Sequence, residues 1–248
     1  DQESKLFGLK TKGEYGLWLS ILKLLEKISR ESYPNLIHII EDDFRFNSSL
    51  IYEFKKIVVE QKDLFDDIIF LDYLIDIPLL NLITLISKQK KESSKDIQKY
   101  YSASYFYFGC TSSFLIRKSS VEFLLNILKN IFQNLKSENR LQPIDIVLRS
   151  LFRKGILKGS IIIPPFGSPD WIMDYDSSIQ TKHASSVKNS MRAYLLFRSA
   201  VSGIRDVKFC AKEIANLFKF EINENKIKTL DDFYKFVEKN KNSFNNAW

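Results

Sequence analysis

A short apolar run that ends in consecutive acids constrains this chain most: Leu36-Ile37-His38-Ile39-Ile40 is followed at once by Glu41-Asp42-Asp43. Branched apolar residues with little polar alternation predict a strand covered on both faces, the pattern of parallel sheets. Acids at the carboxyl end of such a strand sit where open α/β sheets bind their ligands. Oxygens gathered there suit a hard divalent cation, which commonly also holds substrate phosphates. The plainer alternative is that the acids only end the strand and solvate a loop.

The rest of the chain alternates helical and strand signals. Leu17, Ile21, Leu24, Leu25 and Ile28 form a helical stripe within residues 12–30. Asn47-Ser48-Ser49 supplies capping groups for a helix reaching about Val59. Ile68-Ile69-Phe70-Leu71 predicts a second buried strand that ends in Asp72, and the polar stretch Lys88 to Lys99 predicts a loop. Tyr105-Phe106-Tyr107-Phe108 is strand-like, Gly109 breaks it, and Ser113-Phe114-Leu115-Ile116 predicts another strand. Ser119-x-x-Glu122 matches a capping box ahead of Leu124, Leu125, Leu128, Ile131 and Phe132. A helix after Pro143 and a strand Ser160–Ile163 complete a β/α order that predicts a mostly parallel sheet with helices on both faces. Beyond Gln180 the pattern is helical, with Thr229-Leu230-Asp231-Asp232 opening the last helix.

With 248 residues, 45% of them hydrophobic, the chain suits one α/β domain plus an appendage. Eight Gly and six Pro argue against a low-complexity chain. Cys110 and Cys210 form neither a metal-ligand spacing nor a disulfide framework, so a reducing compartment is expected. The stretch Ile68 to Ile86 is interrupted by Asp72, Asp76, Pro78 and Asn81, which disqualifies it as a membrane span. The opening Asp1 leads to the expectation of an excerpt from a longer product. The net charge of +7 is uneven, since residues from Thr181 onward hold 13 Lys and Arg against 7 Asp and Glu. That basic part reads either as a solvated helical face or as a surface facing anionic lipid or an anionic acceptor. Nucleic acid is not expected, because no aromatic-basic interleaving of a recognised module is present. The expected location is cytoplasmic, with a peripheral position at the inner face of the membrane as the alternative.

Taken in order, several blocks carry a resemblance: Gly13-Glu14-Tyr15-Gly16 running into Leu19-Ser20; Ile39-Ile40-Glu41-Asp42-Asp43; Gly109-Cys110-Thr111 with Phe114-Leu115-Ile116-Arg117-Lys118; and Pro143-Ile144-Asp145, followed by Pro164-Pro165 and Ser177-Ser178-Ile179-Gln180. In these the chain resembles glycosyltransferase family 25, which includes lipopolysaccharide, lipooligosaccharide and collagen galactosyltransferases of the GT-A type. Ser20-Ile21 departs from that family's Ser-His pair, and no opening strand with its basic residue precedes Gly13. The resemblance implies a GT-A-like domain over residues 1–180 with a basic helical extension over 181–248. It also implies a nucleotide-sugar donor, with a UDP-hexose first, Mn²⁺ or Mg²⁺, and a saccharide or glycolipid acceptor.

By that resemblance Asp43 is the first choice for direct metal coordination, with Glu41 beside it and Asp42 toward metal, ribose or loop. Alternation along an extended segment would aim Glu41 and Asp43 to one side. Gly109 and Thr111 would let backbone approach the donor, with Cys110 a small buried filler. Asp145 is the candidate general base of an inverting transfer, or else an acid stabilising its own helix start. Asp170, Asp174 and Asp176, with Trp171 and Tyr175, read as a lid or a surface turn, Asp176 being the strongest because it adjoins the Ser177-Ser178-Ile179 block. His183 reads as exposed or as a metal or phosphate contact, His38 as a hydrogen-bonded core histidine, and Asp72 as a ligand contact or an ordinary strand end.

Overall fold

Thr11 and Glu14 start the first helix by satisfying each other's backbone. The Thr11 hydroxyl accepts from the Glu14 N–H at 3.2 Å, and the Glu14 carboxylate accepts from the Thr11 N–H at 3.3 Å. The computed structural model describes residues 7–60, 66–74, 99–169 and 185–240. Helix α1 (Lys12–Arg30) buries Trp18, Ile21, Leu25 and Ile28 at the spacing the stripe predicts, and the Trp18 indole N–H donates to the Gln142 carbonyl at 2.7 Å.

Strands β1 (Leu36–Ile40), β3 (Ile68–Phe70), β4 (Lys99–Ser102), β5 (Ser113–Arg117) and β6 (Gly159–Ile163) form one sheet in the order β1-β5-β3-β6-β4. Strands β2 (Phe44–Phe46) and β7 (Gly167–Pro169) make a separate antiparallel pair. Their backbones approach so closely that a Cβ on Gly167 would lie 2.1 Å from the Arg45 carbonyl oxygen.

The chain is thus α/β, but the sheet is mixed rather than mostly parallel. β5 runs antiparallel to both β1 and β3, β4 runs antiparallel to β6, and only β3 and β6 pair in parallel. Apolar runs specify burial and leave direction open, and β5 intervenes between two strands that the alternating order would have placed side by side. β1 is correspondingly an edge strand: Ile39 is buried while Ile40 is 50% exposed, so it is not covered on both faces. Because β1, β3 and β6 still point the same way, their carboxyl ends share one edge of the sheet with the amino end of β5.

Side chains alternate between two cores along the strands. Ile68, Phe70, Phe114, Ile116, Ile161 and Ile163 join the large cluster, while Ile69, Leu71, Leu115 and Ile162 join a smaller one with Phe166. The small cluster is covered by Phe54 of α2 (Ile51–Glu60) and by Phe46. The large one takes in α1, α4 (Lys118–Ser137) and α5 (Ile144–Arg153), together with Phe197 and Phe233 from the C-terminal helices. Those helices are α6 (Ser185–Val201), α7 (Val207–Phe218) and α8 (Leu230–Asn240).

Two local expectations are corrected. Residues 103–106 form a short helix, α3 (Ala103–Phe106), rather than the start of a strand; Tyr107 then stacks on Phe70 with ring centroids 4.0 Å apart. Ser119 makes no capping box, because α4 already begins at Lys118 and Arg117 holds the cap position without a side-chain bond. Thr229 does close one with Asp232, whose N–H donates to the Thr229 hydroxyl at 3.2 Å while its carboxylate accepts from the Thr229 N–H at 2.9 Å. Among the described residues no helix is long and apolar enough to cross a membrane. Most of the Lys88–Lys99 loop lies outside the described residues.

Candidate functional site

The shared carboxyl edge collects side chains from five distant parts of the sequence. β1 delivers Glu41, whose backbone N–H donates to the Ser112 carbonyl at 2.8 Å and so fixes the strand's exit beside the entry to β5. The chain then turns back at once, since the Phe44 N–H donates to the Glu41 carbonyl at 3.2 Å. Glu41 and Asp43 therefore sit across a turn, not along the extended segment that alternation assumed. They nevertheless remain close enough for Asp43 to act on Glu41 electrostatically.

Both carboxylates are poorly compensated. Burial, then repulsion from Asp43, pushes the Glu41 carboxyl up to about 7, although the Thr111 hydroxyl donates to it at 3.2 Å. Burial, then exposed Asp42, raises the Asp43 carboxyl as well. One Asp43 oxygen, Oδ1, is buried with no hydrogen-bond partner, a costly arrangement for a carboxylate.

Asp72 ends β3 on the same edge, and its environment is the reverse. It is 1% exposed, and its Oδ2 accepts from the Ser112 hydroxyl, from the Arg198 guanidinium and, at 3.4 Å, from the Cys110 thiol. Arg198 comes from α6 and is 4% exposed. Burial opposes its charge, but Asp72 beside it holds its pKa above the ordinary arginine value. This is a buried ion pair at the floor of the edge, and Arg198 is the cation that acts on Glu41 and Asp43.

The segment Gly109–Ser112 crosses above that floor. Gly109 is constrained by its neighbours: with φ at +155°, a Cβ there would meet Asp145 Oδ2 at 2.7 Å and Leu74 Cδ1 at 3.0 Å. Cys110 follows in left-handed backbone, φ +78°. Burial and the adjoining Asp72 push its thiol up to about 12, so it stays protonated at neutral pH, in keeping with a filler and not with a nucleophile. Thr111 is buried, with its hydroxyl on Glu41.

Asp145 stands in the first turn of α5 facing this segment. Its Oδ2 accepts from the Cys110 N–H at 3.3 Å and its Oδ1 from the Ile146 N–H at 2.8 Å. Burial raises its pKa against these bonds. The hydroxyl of buried Tyr107 donates to the Cys110 carbonyl at 2.9 Å. Burial lifts its pKa furthest, and the charges of Asp145, Cys110, Asp72 and Glu41 add to that.

Of the residues singled out from the sequence, Glu41, Asp42, Asp43, Gly109, Thr111 and Asp145 therefore come to one edge. Asp176 lies outside the described residues, as do Asp170, Trp171, Asp174, Tyr175 and His183. His38 is hydrogen-bonded within the structure, its Nε2 lying 2.9 Å from the Ser113 hydroxyl and its ring 5.2 Å from that of Phe54. Arg198 and Ser112 escaped the sequence reading. A signal existed for Arg198, a single charge inside the apolar helical run Leu195-Leu196-Phe197-Arg198-Ser199-Ala200.

Glu41 and Asp43 fit a hard divalent cation in donor type, and the unpartnered Asp43 oxygen is a group such an ion would satisfy. Among the described residues no three His, Cys, Asp or Glu side chains gather as a metal site, so further ligands would come from phosphate oxygens and water. Asp72 is committed to Arg198 and Ser112. No family model, curated protein or solved structure matches the chain.

Proposed function

We propose that this chain is a metal-dependent glycosyltransferase of the GT-A type that moves a hexose, galactose first, from a nucleotide sugar to a saccharide hydroxyl with inversion. The observation that carries this reading is the pairing of half-buried Glu41 with half-buried Asp43 at the end of a strand, with Asp43 Oδ1 lacking a hydrogen-bond partner among the described residues. Glu41 and Asp43 would hold Mn²⁺ or Mg²⁺, which when bound stabilises the negative charge that builds on a departing nucleoside diphosphate.

In the transfer, the acceptor oxygen forms a bond to the anomeric carbon as the bond from that carbon to the diphosphate oxygen breaks and its electron pair leaves with the diphosphate. Asp145 takes the acceptor's proton. Burial raises its pKa, the direction a proton acceptor needs, while its oxygens accept from the Cys110 and Ile146 N–H groups. Gly109, with no side chain, packs directly against the Asp145 carboxylate, where a Cβ would lie 2.7 Å from Oδ2. Thr111 orients Glu41, and Asp42 and Asp176 are reserved for donor contacts. The acceptor is a cell-surface saccharide or glycolipid in lipopolysaccharide-type synthesis, reached from the cytoplasmic side with the basic C-terminal helices toward anionic lipid.

A second reading is favoured by one observation: both Asp145 oxygens already accept backbone N–H groups, as a purely structural acid at a helix start would. On that reading the chain is a degenerate member that binds glycans or partners without catalysis. Titration of a uridine diphosphate hexose with Mn²⁺, followed by product analysis, tests the two. Transfer releases a nucleoside diphosphate; binding without release leaves the second reading.

A further inference from the structure

At the other edge of the sheet, where β4 ends and β6 begins, lies a cleft of about 410 Å³. Its charged lining is dominated by Arg153 and Lys158, both exposed, over an apolar floor of Phe152 and Leu157. Among the described residues neither cation lies within ion-pair distance of a carboxylate; the Arg153 guanidinium rests 5.9 Å over the Phe108 ring. The one lining acid, Asp66, takes the hydroxyl of Ser160 on its Oδ2. Two further hydroxyls, Ser102 and Ser104, face the cleft 2.7 Å from each other.

The cations are carried by rigid backbone. Lys158 is pinned on both sides of its peptide, its N–H donating to Asp67 Oδ2 at 2.9 Å and its carbonyl accepting from the Asp67 N–H at 2.9 Å. Arg153 is the last residue of α5, and the chain then turns through Gly155 at φ +68°, where a Cβ would meet nothing within 4 Å. The mouth is open at that turn. Two cations that reach no carboxylate among the described residues, beside serine hydroxyls over an apolar floor, are the chemistry that recognises a tetrahedral oxyanion.

We propose that this cleft binds a phosphate-type oxyanion, free or borne by a small polar ligand. It is separate from the carboxylate edge and does not depend on the reading given to that edge. Isothermal titration of inorganic phosphate into the full chain, at fixed ionic strength in chloride, tests it, with a hexose phosphate as the second arm. Saturable binding in the millimolar range is expected, weakened about tenfold or more in the R153Q/K158Q variant and unchanged in D43N. Tighter binding of the hexose phosphate would assign an organic phosphate as the ligand, and equal binding the free anion. Absence of saturable binding, or equal affinity in wild type and R153Q/K158Q, overturns the proposal. Should the double variant fail to fold by circular dichroism, the exposed single change K158Q carries the same expectation at a smaller loss.

Discussion

The two edges of the sheet carry the same acidic residue types and treat them differently. At the amino edge Asp67 is fully engaged: its Oδ1 accepts from the Ser120 hydroxyl at 2.6 Å and its Oδ2 from the Lys158 N–H at 2.9 Å. At the carboxyl edge Glu41 and Asp43 are half-buried, Asp43 Oδ1 has no hydrogen-bond partner among the described residues, and Arg198 is bound to Asp72 instead. Acids whose donors the chain supplies hold the fold together. Acids left short of donors and positive charge have raised pKa values, which marks them as candidates for a site.

The contrast is broken most forcefully by exchanging one acid on each edge for its amide. D145N should cut transfer by about 10²–10⁴-fold if Asp145 is the base, with a stability loss of about 1 kcal/mol. D67N should cost roughly 1–3 kcal/mol of stability, since its amide N–H₂ would face a donor, and leave the rate of folded protein alone. Steady-state assays paired with urea unfolding separate the two. Similar rates for D145N and D67N would erase the distinction.

Removing the buried cation comes next. R198M leaves Asp72 buried and unpaired, and should destabilise by roughly 3–5 kcal/mol in chemical denaturation. R198M/D72L, which removes both charges, should recover much of that loss.

How much of this was visible in the amino-acid order depends on whether the feature is local. β1, β3, β5 and β6, α1 and the Thr229 cap follow from apolar runs, periodicity and capping groups that each reside within one segment. Strand direction does not, because the insertion of β5 between β1 and β3 is settled by pairing across the chain. The acids after β1 were conspicuous. Their electrostatic state was not, since it depends on Arg198 choosing Asp72, 126 residues earlier in the chain. Likewise Gly109 drew notice as a break in an aromatic run, whereas its contact with Asp145 requires α5 to be docked.

The pH dependence sharpens the contrast more gently. The folded state keeps Glu41 protonated up to about pH 7, whereas the unfolded chain releases that proton near 4.5. Between those values the folded form binds the extra proton, so stability from this group falls as pH rises and levels off above about 7. The expected loss is roughly 2–3 kcal/mol without divalent cation, read from denaturation midpoints at pH 5 and 8. E41Q should remove that portion of the slope.

The smallest change expected is for G109A. Its Cβ would press on Asp145 Oδ2 and Leu74, at a cost of about 1–2 kcal/mol in thermal unfolding. G155A, where a Cβ meets nothing, should cost less, limited to the strain of its positive φ.

The most direct test is calorimetric titration of Mn²⁺, with uridine diphosphate present, into wild type and D43N. The account predicts saturable binding in the wild type that weakens by at least about tenfold in a D43N protein with unchanged far-UV circular dichroism. Equal Mn²⁺ affinity in the two proteins, or none in either, would contradict the assignment of Glu41 and Asp43 as the cation's ligands.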